Sequence, residues 1–265
     1  MLPIYIIGFI AALVLALVLT PLVKRFAIRV GVVDVPNARK VHTKVMPRLG
    51  GMAIFLAFII GILAVLPFVP DGILTTRDIN FIQAFLVGGA MITILGALDD
   101  RFDLNAKLKF VVQIAIACMV VFAFDIRVDF VNIPFADSYS SLEGWIAIPL
   151  TIFWIVGVTN AINLIDGLDG LAAGVSGIAI STIFVMSLLM GNIAVAMLCL
   201  VLLGSIVGFL FFNFHPAKIF MGDTGSLFLG FCLAMLSLLG FKQIAVVSFI
   251  TPLIIIGVPL SDTFF

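Results

Sequence analysis

Residues 193–212 read IAVAMLCLVLLGSIVGFLFF, an apolar run with no charged residue in it. As a helix such a run rises about 30 Å, the thickness of the hydrocarbon core of a bilayer. Working outward, comparable runs cover roughly 4–23, 50–69, 79–98, 108–124, 145–162, 171–190, 225–241 and 244–260. The sequence therefore predicts about nine crossings, since a transmembrane helix needs about 17–25 residues. The connections are too short for a separate soluble domain, so residues 1–265 are expected to form one all-α, polytopic membrane domain. Composition agrees: 63% of the chain is hydrophobic and 11% charged, and the mean hydropathy is +1.35. A soluble domain is about half apolar and a quarter charged. A net charge of zero gives no electrostatic footprint for nucleic acid. Cys118, Cys199 and Cys232 each fall inside an apolar run, as small buried hydrophobes do.

Orientation follows from the basic residues. The loop after the first run carries Lys24, Arg25, Arg29, Arg39, Lys40, Lys44 and Arg48, and alternate loops add Arg101, Lys107, Lys109 and Lys218. The other side keeps Arg77, Arg127 and Lys242. Excess Lys and Arg mark the cytoplasmic side, which puts the N-terminus outside and makes the first run a signal anchor. Asp99, Asp100, Asp103, Asp166, Asp169, Asp223 and Asp262 then all reach the same cytoplasmic face. Carboxylates near a membrane are expensive and are functional candidates by default.

Four segments on that face carry the chemistry. Residues 34–51, DVPNARKVHTKVMPRLGG, are basic and suit either anionic headgroups or a phosphorylated substrate. Residues 96–109, GALDDRFDLNAKLK, pair Asp99 with Asp100 beside Arg101 and Lys107; adjacent carboxylates are tolerated where one meets a cation. All-oxygen donors favour Mg²⁺, with Mn²⁺ as the alternative. Residues 159–174, TNAINLIDGLDGLAAG, repeat Asn160, Asn163, Asp166 and Asp169 every third position, a polar stripe if helical, with Gly167 and Gly170 loosening its end. Residues 211–230, FFNFHPAKIFMGDTGSLFLG, set Asp223 and Thr224 between Gly222 and Gly225 at a helix start. A helix N-terminus caps with such residues and also attracts anions. His215 fits a general base, a phosphate contact or an ordinary loop histidine, and His42 lacks a second ligand at metal spacing. Carboxylates for a hard cation, basic groups for phosphates and glycines for close approach together suit phosphoryl transfer to a lipid phosphate.

The four segments, in this order, resemble the motif series of the polyprenyl-phosphate N-acetylhexosamine-1-phosphate transferases, and the likeness covers nearly the whole chain. Their PRLGG form is similar to the GlcNAc-1-phosphate branch, with the phospho-MurNAc-pentapeptide transferases as the alternative. The resemblance implies Mg²⁺-dependent transfer of GlcNAc-1-phosphate from UDP-GlcNAc to undecaprenyl phosphate at the cytoplasmic face of a bacterial inner membrane. Such a step opens assembly of cell-envelope polymers such as teichoic acid or lipopolysaccharide. It further implies Asp223 as metal ligand, and Asp99 and Asp100 as metal or lipid-phosphate residues. Asn163, Asp166 and Asp169 are implied in catalysis, with Asn160 helping to place the nucleotide. Asn213 and Phe220 are implied at the uracil, Phe220 by stacking. Lys44, Arg48 and Lys107 are implied as basic substrate contacts.

The family pattern continues past the SDT segment into a His-x-His-His loop and further spans, whereas this sequence ends at Phe265 with His42 and His215 its sole histidines. The expectation is a C-terminally truncated member. A secondary transporter, which places its polar groups at mid-membrane between two related halves, and a non-catalytic remnant are the readings from other classes. Small-residue runs such as Gly88-Gly89-Ala90 allow close helix packing within the chain or in a homodimer.

Overall fold

A computed structural model describes residues 2–35, 45–128, 130–131, 140–141 and 143–240. They form eight α-helices: α1 (Leu2–Val30), α2 (Gly50–Val65), α3 (Thr76–Phe102), α4 (Ala106–Phe124), α5 (Gly144–Ile165), α6 (Leu171–Leu189), α7 (Ile193–Asn213) and α8 (Gly222–Gly240). Two antiparallel ribbons of two residues per strand, β1 (Val33–Asp34) with β2 (Met46–Pro47) and β3 (Phe130–Val131) with β4 (Ser140–Ser141), are the strands among the described residues. The protein is an all-α, multi-pass membrane protein. Seven helices are long and apolar enough to cross, and α8 adds a shorter apolar stretch, Gly222–Leu238. The ninth expected crossing, 244–260, lies outside the described residues, as do Lys44, His42 and Asp262.

Helix ends depart from the apolar runs in instructive ways. Helix α1 continues seven residues past the expected end, through Lys24, Arg25 and Arg29, to Val30. Long basic side chains lay their methylenes along apolar surface while the charge reaches water, so they need not end a helix. Helix α3 opens on a reciprocal capping box between Thr75 and Asp78 and runs through Phe102. Asp99 and Asp100 therefore lie inside its last turns, not in the loop beyond. Helix α5 stops at Ile165, with Asp166 as its C-cap. The expected four-residue stripe is thus broken: Asn160 and Asn163 share a helix, while Asp169 sits in the turn that follows.

Helix α8 is the axis of the bundle, packed by α2, α3, α5, α6 and α7, and nearly every described side chain on it is buried. Around it Phe55, Phe58, Phe85, Phe228 and Phe231 meet edge-to-face or tilted, with centroids 5.4–6.3 Å apart. By contrast, α1 and α4 expose Ile6, Ile10, Val14, Val18, Phe110, Val111 and Phe122. A face that apolar belongs against lipid. The chain alternates direction, so the C-termini of α1, α3, α5 and α7 gather with the N-termini of α2, α4, α6 and α8. Cross-links mark this shared end: Arg101 of α3 donates to the Val30 carbonyl of α1, and the Gly50 N–H of α2 donates to the Phe220 carbonyl at 2.9 Å.

Two glycines decide how closely that end closes. A Cβ on Gly51 would collide with the backbone of Gly225 and Thr224, and one on Gly96 with the backbone of Asp223 and Thr224. Helices α2, α3 and α8 thus meet main chain to main chain at the start of α8.

Candidate active site

Asp99 and Asp100 are neighbours on α3, so their side chains leave the helix about 100° apart. They meet different partners. The Asp99 carboxylate accepts the Leu104 N–H at 2.8 Å on Oδ1 and Lys109 Nζ at 2.6 Å on Oδ2. Lys109, from the first turn of α4, also reaches Asp223 Oδ2 at 2.9 Å. Asp223 Oδ1 accepts the Asn163 side-chain amide at 3.0 Å, and the same amide donates to Ser226 at 2.8 Å. One ammonium therefore bridges two carboxylates from different helices, with an asparagine from a third closing the group. Charge-assisted bonds of this kind are short and strong.

Asp100 turns the other way. Its Oδ1 accepts the Asp223 N–H at 3.0 Å, and its Oδ2 accepts the Thr224 N–H at 2.9 Å and the Thr224 hydroxyl at 2.6 Å. Arg48 Nε stands 3.5 Å from Oδ1. The α8 N-terminus, expected as a capped helix start or an anion site, is filled at these two amides by a carboxylate of the protein itself.

Around this centre lie the remaining expected residues. Burial pushes the Asp166 carboxyl up to about 8, the charges of Asp223 and Asp100 add to the rise, and Arg48 opposes it. Asp169 Oδ2 accepts the Ala217 N–H at 3.0 Å and pairs with His215 Nδ1 at 3.1 Å, tying the α5–α6 turn to the α7–α8 loop. His215 is otherwise exposed. Asn213 is buried and donates to the Ile219 carbonyl at 3.0 Å, which folds that loop back on α7. Phe220, half-buried, gives its N–H to the Pro47 carbonyl at 2.9 Å. Asn160 sits one turn deeper, donating to Gln113 at 2.5 Å and to the Val156 carbonyl at 2.8 Å.

The two lysines of the 96–109 segment take different sides of α4. Lys107 is exposed, and its N–H is held by the helix-capping Asn105 side chain at 2.9 Å. Two residues on, and about 200° round the helix, Lys109 faces the carboxylates. Asn105 was the available signal, because a cap there fixes which side of α4 each lysine takes. Thr224 was singled out at the helix start but not as a partner of Asp100, and Ser226, a small polar residue without a distinctive pattern, was not singled out as a partner of Asn163. We expect Lys109→Met to lower turnover at least about tenfold more than Lys107→Met, since charge at developing negative charge is worth about 10²–10³ in rate. Steady-state kinetics of the two variants at equal folded amounts decide it.

No group of three carboxylate, histidine or cysteine side chains forms a ready metal cage among the described residues. The donors are nevertheless all oxygen. Asn163 spends its amide nitrogen on Asp223 and Ser226, and its side-chain carbonyl oxygen is of the kind a hard cation takes. Mg²⁺ keeps several waters and takes one or two protein carboxylates together with substrate phosphates. The residues fit such a cation.

The pattern of glycosyl transferase family 4 matches residues 82–241, the stretch from α3 to the end of α8 that holds this cluster. Over 261 residues the chain is 51% identical to the "Probable undecaprenyl-phosphate N-acetylglucosaminyl 1-phosphate transferase" of Bacillus subtilis (strain 168), covering 98% of this chain and 70% of that protein. It is 38% identical over 212 residues to the phospho-N-acetylmuramoyl-pentapeptide-transferase of Listeria monocytogenes serovar 1/2a, covering 76% of this chain and 63% of the relative. The decaprenyl-phosphate N-acetylglucosaminephosphotransferase of Mycobacterium leprae is 38% identical over 229 residues, covering 82% of this chain and 56% of that relative. The family match falls on the helices that build the carboxylate–lysine cluster, and the likeness to the Bacillus subtilis relative covers nearly the whole chain. The chain belongs to glycosyl transferase family 4.

Proposed function

We propose that this protein transfers GlcNAc-1-phosphate from UDP-GlcNAc to undecaprenyl phosphate, releasing UMP. The observation that carries this reading is the cluster of Asp99, Asp223, Lys109 and Asn163 at one end of the bundle, in a chain half identical to a relative named for that reaction. An oxygen of the lipid phosphate attacks the sugar-bearing phosphorus of the nucleotide. A new P–O bond forms, the bond to the bridging oxygen of UMP breaks, and UMP leaves with that electron pair. A phosphate dianion is already nucleophilic at neutral pH, so the step needs no carboxylate base.

The work of the protein is positioning and charge neutralisation. Asp223 and Asn163 would hold Mg²⁺, or Mn²⁺ in its place, which would supply positive charge to the diphosphate when bound. Asp99 holds Lys109 at the edge of the reacting phosphates, and Arg48 adds a second cation. On the nucleotide side, Phe220 stacks on the uracil, with Asn213 and Asp169 shaping the loops beside it. A soluble nucleotide substrate places this end of the bundle on the cytoplasmic face of the bacterial inner membrane. The product is the first lipid-linked intermediate of a cell-envelope polysaccharide.

Phe220→Ala should raise the KM for UDP-GlcNAc about tenfold with little change in kcat, because base stacking on an aromatic ring is worth about 1–3 kcal/mol. A fall in kcat at unchanged KM would remove Phe220 from the nucleotide site. The reaction itself is tested by incubating the purified chain with undecaprenyl phosphate, UDP-[¹⁴C]GlcNAc and Mg²⁺. Label moving into the lipid phase supports the proposal. The likeness to pentapeptide transferases gives a second donor for the same assay. Transfer from UDP-MurNAc-pentapeptide and none from UDP-GlcNAc would reassign the sugar.

A further inference from the structure

We propose that Asp100 is a positioning residue: from α3 it caps α8 and so sets where Asp223 sits, without itself touching substrate or cation. The inference rests on the transferase reading and separates the roles of the paired aspartates. An ionised carboxylate offers about four acceptor sites. Those of Asp100 face the Asp223 N–H, the Thr224 N–H, the Thr224 hydroxyl and Arg48. Its side chain is 0% exposed. Asp99, by contrast, spends one oxygen on Lys109, the same ammonium that holds Asp223.

The local sequence explains why the cap comes from another helix. A helix leaves its first N–H groups unpaired, and an N-cap side chain normally accepts them. Met221, just before α8, has no side-chain oxygen to offer. Gly222 has φ +71, and a Cβ there would fall 2.5 Å from Asp100 Oδ2. Glycine thus opens the space into which a carboxylate from α3 descends, and the negative charge is further favoured by the positive end of the helix dipole. Asp223 is the second residue of α8, so anything that moves this cap moves the Asp223 carboxylate.

The test uses the purified full chain in detergent as wild type, Thr224→Val, Asp100→Asn and the double variant. Melting temperatures are taken without substrate, and kcat and KM at a temperature where all variants are folded. Displacing a reacting group by about 1 Å costs on the order of 100-fold in rate. Asp100→Asn is therefore expected to lose on the order of 100-fold in kcat, and Thr224→Val about tenfold, both with KM for UDP-GlcNAc within about twofold. Thr224 is 0% exposed and cannot reach substrate, so its rate loss must pass through the cap. Residues acting as one unit are non-additive, so the double variant should be no slower and no less stable than Asp100→Asn alone.

Wild-type kcat in Thr224→Val alongside an inactive Asp100→Asn would assign Asp100 to the chemistry and overturn the proposal. So would additive losses of melting temperature, or lowered melting temperatures with kcat unchanged. If Asp100→Asn does not fold, the kcat of Thr224→Val alone decides, and a wild-type value overturns. Absence of transfer by the wild-type chain would instead sink the transferase reading, and the melting cycle would still judge the cap.

Discussion

Asp223→Asn is expected to remove transferase activity, lowering kcat by on the order of 10³-fold while leaving the melting temperature close to wild type. The reason lies in how its two ends are held. The backbone N–H of residue 223 goes to Asp100, and an asparagine keeps that bond, so the start of α8 survives. What changes is the carboxylate, which takes Lys109 on one oxygen and Asn163 on the other. An amide of the same shape cannot balance the ammonium, nor would it serve the proposed cation as a carboxylate does. Lys109 keeps Asp99 as a partner, so no buried charge is left alone. Lipid-phase label above about a tenth of wild type would show that charge at this position does not govern the rate.

The second large effect is on the fold. Gly51→Ala is expected to destabilise the protein by about 3 kcal/mol or more, the upper end of what overpacking costs, because nothing at the contact can yield. The added methyl meets main-chain atoms of Gly225 and Thr224, not the flexible end of a side chain. Relief requires α2 and α8 to separate. That motion also breaks the bond from the Gly51 N–H to the Met221 carbonyl, at 2.8 Å, and carries the start of α8 away from Asp100. A melting temperature in detergent several degrees below wild type, with activity lost in parallel, is the expected result. Gly157→Ala is the control, since a Cβ at Gly157 meets nothing within 4 Å. Equal behaviour of the two variants would refute the close-contact argument.

Much of this architecture was legible before the structure. Each of the first eight apolar runs became a helix, because a run that long has no other way to satisfy its backbone in lipid. The alternation of basic loops foretold that the four polar segments would share one end. Partnerships were not legible. Asp99 and Asp100 are chemically identical neighbours, and only the packing of α3 against α8 gives one a lysine and the other a helix terminus. Lys107 and Lys109 differ by two positions in the same motif, and helix phase separates exposed from bridging. The three-residue repeat of Asn160, Asn163, Asp166 and Asp169 looked like a helical stripe. Helix α5 ended before it was complete, and Asp169 found its partner in the α7–α8 loop.

The cap on α8 also has a history within the life of each molecule. Asp100 and Asp223 are 123 residues apart in the chain. At synthesis rates of about 5–20 residues per second, the carboxylate waits on the order of 10 s for the amides it will hold. During that interval a half-made bundle carries an acidic group at the membrane boundary, with Arg48 its one cationic neighbour of those seen in the finished fold that has already been made. The late arrival of α8 among helices already inserted is then the event that gives the Asp100 carboxylate its donors, and Asp223 takes its place in the same step.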